Sequence, residues 1–247
     1  MSLPTAVILA AGLGRRLGDH TTSLPKALID LHGRTLLERS LAALSAAGFQ
    51  RACIVTGHCA ETIDDVVAKG HFGIEAVTRF NPNYATANNI VSFLTVEDVV
   101  EQGCVLLNSD IVFDASILVD VAAAGPGTWL VVDSDEPLGA EEMKVSVDAA
   151  GRLTRVNKLL DPAESVGEYI GITRFDVEGG RKCLDSAHRL VDAGQVDLYY
   201  EHAIDAVAAD LGARLLPTRR RLWTEIDDEA DYRRGLREAA ELDAAAS

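Results

Sequence analysis

Short apolar blocks alternate with amphipathic ones along this chain. Residues 5–10 (TAVILA) are an apolar run rich in β-branched residues that ends in a glycine turn, the pattern of a strand buried on both faces of a parallel sheet. Residues 35–47 repeat leucines at helical spacing (Leu36, Leu37, Leu41, Leu44) and stop at Gly48, which predicts a helix. Further strands are predicted at 51–57, 74–79, 104–110 and 128–133, with helices at 60–69, 88–100 and 115–124 between them. Strand alternating with helix argues for a mostly parallel sheet covered on both faces. Ligands of such sheets sit beyond the carboxyl ends of the strands, so Gly12 and Asp110, each just after a strand, should face one crevice.

Beyond residue 140 the rhythm changes. Residues 143–148 and 152–157 flank Ala149-Ala150-Gly151, a hairpin signal. A strand at 169–175, helices at 177–193 and 198–210, strands near 213–217 and 222–226 and a last helix from about Asp228 complete the pattern. One domain is expected over 1–240, with a nucleotide-binding part at 1–135, an acceptor-binding part at 140–227 and a frayed tail at 241–247.

Composition sharpens this picture. The 247 residues are 48% hydrophobic and carry a net charge of -15, enough for a sizeable core and the wrong sign for a nucleic-acid surface. Anions can bind only where cations gather locally, and Arg15, Arg16 and Lys26 gather against a lone Asp19. Cys53, Cys59, Cys104 and Cys183 show neither C-x-x-C nor zinc spacing, and a reduced, inert state is expected of them. No leader or 18-residue apolar span is present, so a soluble cytoplasmic protein is expected.

The stretch LAAGLGRRLGDHTTSLPKAL, residues 9–28, puts a glycine-rich turn after a strand and then basic residues, the logic of backbone N–H groups cradling phosphate. It fits no Walker A loop. The dinucleotide fingerprint also fails, because Leu17 holds its third glycine position and Gly18 comes one residue late. The stretch does resemble the signature L-A-A-G-x-G-[ST]-R-L…T…P-K of nucleotide-sugar pyrophosphorylases and small-molecule cytidylyltransferases. Leu9, Ala10, Ala11, Gly12, Gly14, Arg16, Leu17, Thr21, Pro25 and Lys26 fall in register, while Arg15 stands where Ser or Thr is usual. Residues 81–93 (NPNYATANNIVSF) are similar to the N-x-x-Y-x-x-x-N-N-x-x-S segment of phosphocholine and phosphonate cytidylyltransferases, and 222–235 (LWTEIDDEADYRRG) to their E-I-D-x-x-x-D-Y segment. The matched segments run in the right order from residue 5 to 235.

This resemblance implies a Rossmann-like α/β three-layer sandwich with a mostly parallel mixed sheet and a small β-rich acceptor-binding subregion. It implies that CTP and a small anionic phosphonate or phosphate monoester react to a CMP-linked product and pyrophosphate. Leu9, Ala11, Gly12, Gly14, Arg15, Asn88, Asn89 and Ser92 would bind nucleotide, with Asn88 equally placed to cap a helix. Arg16 and Lys26 would be catalytic: Arg16 on the β- and γ-phosphates, Lys26 between the α-phosphate and the acceptor. Asp110 and Asp227, with Glu225 as helper, would hold Mg²⁺ (or Mn²⁺), although Asn108-Ser109-Asp110 replaces the D-x-D of many relatives. Lys144, Lys158, Glu168 and Gly171 would touch the acceptor. Met143 falls where phosphocholine enzymes place a cage tryptophan, and Lys144 beside it argues for a second anionic group on the acceptor. Tyr199-Tyr200 are read as packing. A homodimer is compatible with this reading. Two rivals share the first loop: a sugar-1-phosphate nucleotidylyltransferase using UTP, dTTP or GTP, and a non-catalytic nucleotide-binding domain.

Overall fold

A computed structural model describes residues 3–14, 16–17, 21 and 24–245. The strands are β1 (Thr5–Ala10), β2 (Arg51–Thr56), β3 (Glu75–Phe80), β4 (Cys104–Asn108), β5 (Ile111–Phe113), β6 (Trp129–Asp133), β7 (Lys144–Val147), β8 (Leu153–Asn157), β9 (Gly167–Phe175), β10 (Arg214–Pro217) and β11 (Trp223–Glu225). The helices are α1 (Leu36–Ala46), α2 (Ala60–Lys69), α3 (Asn89–Leu94), α4 (Glu97–Val100), α5 (Ser116–Ala123), α6 (Val177–Asp192), α7 (Tyr200–Asp205), α8 (Ala208–Leu211) and α9 (Glu229–Ala245).

The main sheet runs β10-β6-β9-β4-β1-β2-β3. Its β4-β1-β2-β3 half is parallel, and β9 enters antiparallel between β4 and β6. The β7–β8 hairpin hangs from β9 and forms the β-rich subregion. Alternation along β1 explains the layers. Val7 and Leu9 face a core shared with α3, α6 and α7 through Phe93, Cys183 and Tyr200. Ala6, Ile8 and Ala10 face the other core, built with Leu37, Leu41 and Leu44 of α1 and Ile117 and Leu118 of α5. The predicted sandwich is therefore present, and helix α1 starts on a Thr35–Glu38 capping box that ties two orphan N–H groups.

Several boundaries differ from those predicted. The helix expected over 88–100 breaks into α3 and α4 at Val96, whose φ of -118° is not helical, and the helix over 198–210 breaks in the same way at Val207. The strand expected over 104–110 ends at Asn108. After a turn the chain resumes as β5, which pairs antiparallel with β11 in a separate two-stranded sheet. The tail is not frayed as far as it is described. Helix α9 runs to Ala245, and the Arg39 guanidinium donates 2.9 and 2.7 Å bonds to the two carboxylate oxygens of Asp243. Leu242 packs with Ile29, Val112 and Ile226 in a small third core beneath the signature loop.

Candidate active site

Adjacency of β1 and β4 builds the site. Leu9 lies opposite Asn108 in their parallel register, so the glycine-rich turn after β1 and the polar turn after β4 open side by side at the carboxyl ends. They border a cleft of about 620 Å³ that also takes in residues of α3, β9 and β11, with Met143 and Lys158 from either end of the hairpin. Gly12 and Asp110 both line it, as the strand pattern predicts. At Gly14 the backbone is left-handed (φ +60°), and a Cβ there would stand 2.9 Å from Thr21 Cγ2. Thr21 in turn donates its hydroxyl to the Gly14 carbonyl at 2.7 Å. Glycine is needed at this point on both counts.

Charge concentrates where the two turns meet. The Lys26 ammonium donates to Asp110 Oδ2 at 2.8 Å and to Asp227 Oδ1 at 2.6 Å, and Arg16 Nη2 donates to Asp227 Oδ2 at 2.6 Å. Burial works against the Lys26 charge, but the Asp110 and Asp227 carboxylates outweigh it and hold the amine well above an ordinary lysine. Burial also works against the Asp227 anion, and Lys26 and then Arg16 outweigh that, holding its carboxyl below the usual range. Glu225 is pushed up to about 8, first by burial and then by the Asp110 and Asp227 charges. Oxygens of Asp110, Glu225 and Asp227 lie within 4.8 Å of one another. Asp110 Oδ1 is buried without a hydrogen-bond partner, a donor left over for a cation. All-oxygen ligation with one carboxylate waiting suits a hard divalent metal. These acids, 117 residues apart at the extremes, are joined because Ile226 N donates to the Asp110 carbonyl at 2.8 Å and Glu225 pairs with Ile111.

The remaining candidates divide. Leu9, Ala11, Asn88, Asn89, Ser92, Lys158, Glu168 and Gly171 all line the cleft. Asn88 does cap α3, accepting from the Asn89 N–H at 2.8 Å. Asn89 Oδ1 accepts from the Tyr200 N–H, and the buried Ser92 hydroxyl accepts from Asn81 Nδ2 at 3.0 Å. These groups therefore also fix the helix to its surroundings. Gly171 has a φ of +83° where the β6–β9 register shifts, and a Cβ there would stand 2.6 Å from Asn108 Nδ2. It makes room for Asn108. Arg15 lies outside the described residues.

Lys144 does not reach the cleft, contrary to the expectation that it touches the acceptor. It is 1% exposed, and its amine donates to the carbonyls of Gly139, Ala140 and Glu142 at 3.0–3.2 Å. The strand register points it behind the loop, where three carbonyls satisfy it. The argument for a second anionic group on the acceptor goes with it.

Sequence reasoning missed two groups. Tyr200 is buried and stacks on Phe93, as packing requires, but its hydroxyl also donates to Asn108 Oδ1 and meets the Tyr169 hydroxyl at 2.7 Å. Asn108, at the first position of the usual D-x-D, thus has its oxygen engaged inside the protein. Glu201 lines the cleft, is 5% exposed, and carries an Oε2 with no partner. Its only sequence signal was its place after the tyrosine pair. Burial above all pushes Glu201 up to about 7, and Glu168 likewise, with Glu142 and Asp133 adding to the latter.

A parallel-sheet crevice with a glycine-rich turn, a lysine between carboxylates and a cation-competent acid cluster defines a nucleotidyltransferase type of site. The chain belongs to the family of MobA-like NTP transferase domains, whose pattern matches residues 6–139. It is 31% identical over 242 residues to the CMP-5'-(3-aminopropyl)phosphonate synthase of Streptomyces rubellomurinus, covering 92% of this chain and 37% of that protein, so it spans little more than a third of that relative. It is 23% identical over 228 residues to the 2-aminoethylphosphonate cytidylyltransferase of Lancefieldella rimae, covering 92% of this chain and 89% of that one. Its fold matches that of CTP:phosphocholine cytidylyltransferase from Streptococcus pneumoniae with a TM-score of 0.81 at 22% identity, over 96% of this chain and 99% of the other. Among the described residues no helix is long and apolar enough to cross a membrane.

Proposed function

We propose that the protein transfers a cytidylyl group from CTP to a small phosphonate or phosphate monoester and releases pyrophosphate. The observation that carries this reading is Lys26 held between Asp110 and Asp227 at the mouth of the signature loop, in a chain whose relatives are named for cytidylyl transfer.

In the reaction an acceptor oxygen, already ionised near pH 7, bonds to the α-phosphorus of CTP. The bond from that phosphorus to the bridging oxygen of the β-phosphate breaks, and its electron pair leaves with pyrophosphate. No general base is needed, and the barrier is repulsion between anions, so positioning and charge neutralisation carry the work. The N–H groups of Ala11, Gly12 and Gly14 cradle the triphosphate, and Leu9, Asn88, Asn89 and Ser92 border the nucleoside. Arg16, largely exposed beside Asp227, neutralises the β- and γ-phosphates and then pyrophosphate. Lys26 bridges the α-phosphate and the incoming oxygen. Asp110, Asp227 and Glu225 would hold Mg²⁺, which supplies Lewis-acid and template effects at the α-phosphate. Lys158 meets the acceptor anion, and Glu168 borders the same end of the cleft.

Pyrophosphate release measured with each of the four common NTPs, Mg²⁺ and a panel of phosphonates, phosphoalcohols and sugar 1-phosphates tests this directly. Turnover with CTP and a phosphonate or phosphoalcohol is expected. Preference for UTP, dTTP or GTP with a sugar phosphate would replace the reading with the pyrophosphorylase one. CTP binding without turnover of any acceptor would leave a regulatory domain.

A further inference from the structure

We propose that the protein forms a twofold homodimer in which β3 pairs antiparallel with β3 of a second copy, joining the two main sheets into one. The pairing does not depend on which reaction the cleft performs.

The two ends of the main sheet differ. At one end β10 carries the protection natural sheet edges carry. It closes on Pro217, Arg152 bridges to Arg214, and Leu153 N donates to the Ala213 carbonyl, so the start of β8 lies against it. At the other end β3 is six residues long, pairs with β2 alone among the described residues, and has neither a proline nor a register shift. Two bonds fix the direction of its backbone: Glu75 N donates to the Gln50 carbonyl and Asn81 N to that of Thr56. Odd-numbered residues therefore turn their N–H and C=O groups towards β2, and Ala76, Thr78 and Phe80 turn theirs outwards. An uncovered row of donors and acceptors is a template for a further strand.

The side chains of this edge decide which strand. Glu75, Val77 and Arg79 share one face of β3. An antiparallel pair centred on Val77 sets Val77 against the partner's Val77, Glu75 against the partner's Arg79, and Arg79 against the partner's Glu75. Ala76 and the partner's Thr78 then exchange their outward N–H and C=O groups. Just beyond, Phe80 comes to the partner's Ile74. Val77 is 52% and Phe80 53% exposed, and the pairing covers both. Glu75 is exposed with no ion pair among the described residues, while Arg79, although held by Asp98, keeps 37% of its side chain open to a second carboxylate. The strand is thus complementary to its own reverse, with opposite charges meeting twice and apolar groups meeting between them. Centring the pair on Thr78 would lay Val77 against Arg79 and leave Glu75 opposite Asn81, so the charges set the register. Because β10 is blunted and β3 is not, the pairing closes at two copies and builds no filament.

Sedimentation equilibrium over a concentration series tests this. The wild type should approach twice the 26.4 kDa of the chain. Val77→Lys brings two ammonium groups together on the axis and should weaken association by about tenfold or more. Thr78→Pro removes an outward donor without touching the ladder to β2 and should do the same. Glu75→Arg and Arg79→Glu should each sediment as a monomer, and an equimolar mixture of the two should recover a heterodimer, because each chain then meets charges of the opposite sign. Thermal melting checks that every variant folds, and Val77→Lys and Thr78→Pro stand in for one another if one does not. A wild type that stays monomeric across the series would overturn the inference. So would a dimer that survives both Val77→Lys and Thr78→Pro at full strength, which would put the interface elsewhere. Two folded charge variants whose mixture stays monomeric would overturn the register, and the inference with it.

Discussion

Lys26 carries the largest single consequence in the proposed reaction. Its ammonium is held charged by Asp110 and Asp227, so it stays cationic throughout the range in which the acceptor is anionic. Lys26→Ala should lower kcat by about 10²–10³, the usual loss when one preorganised donor to a developing charge is removed, and single-turnover CMP transfer would measure it. Near wild-type turnover would remove Lys26 from the chemistry. Lys144 makes the opposite kind of prediction. Lys144→Met strands three loop carbonyls that now share one buried ammonium. It should lower stability by on the order of 2–4 kcal/mol, visible as a reduced urea midpoint. An unaltered midpoint would mean that the loop finds other donors. The two lysines also show what a sequence can convey. Lys26 was legible because it sits in a long ordered motif, whereas the direction of Lys144 depends on the register of a hairpin, which its local pattern does not encode. Glu201 was hidden for a similar reason: no neighbour in sequence tells that one carboxylate oxygen will be buried and unmet.

Elements were easiest to read where burial is two-sided. The runs at β1, β2, β4 and β6 have apolar, buried interiors and match the strands to within two residues. The pairing of β5 with β11 was not legible, since three-residue strands carry no period of their own and exist only through each other. The breaks at Val96 and Val207 were missed because β-branched residues fit both an amphipathic helix and its end. The length of α9 was misread from its alanine-rich tail, which gave no sign of the Arg39–Asp243 clasp. Arg39→Ala should therefore speed amide exchange in the last two turns of α9 and cost about 1 kcal/mol or less, because Asp243 is partly solvated. If exchange there is unchanged, Leu242 and the other contacts of Asp243 hold the helix end.

For the whole molecule, the acids bury more charge than they pair. Glu168, Glu201 and Glu238 are all raised to about 7 in the fold, burial being the leading cause. Unfolded, they would ionise near 4.5, so the native state holds more protons between these values and stability must fall as pH rises across that window. Asp227 acts in the opposite sense but only below its ordinary range, so it does not reverse the trend above pH 5. Melting temperature in EDTA should decline from pH 5 to 8, and a flat or rising profile would show that these carboxyls ionise freely.

The bond from Ile226 to the Asp110 carbonyl has a further bearing, on synthesis. The glycine-rich loop, Lys26 and Asp110 all emerge from the ribosome well before β11 and Asp227. A nascent chain halted before residue 223 would therefore carry a phosphate cradle and one acid, with no partner to complete the cation cluster. Competence arrives late and at once, when the last strand closes on β5.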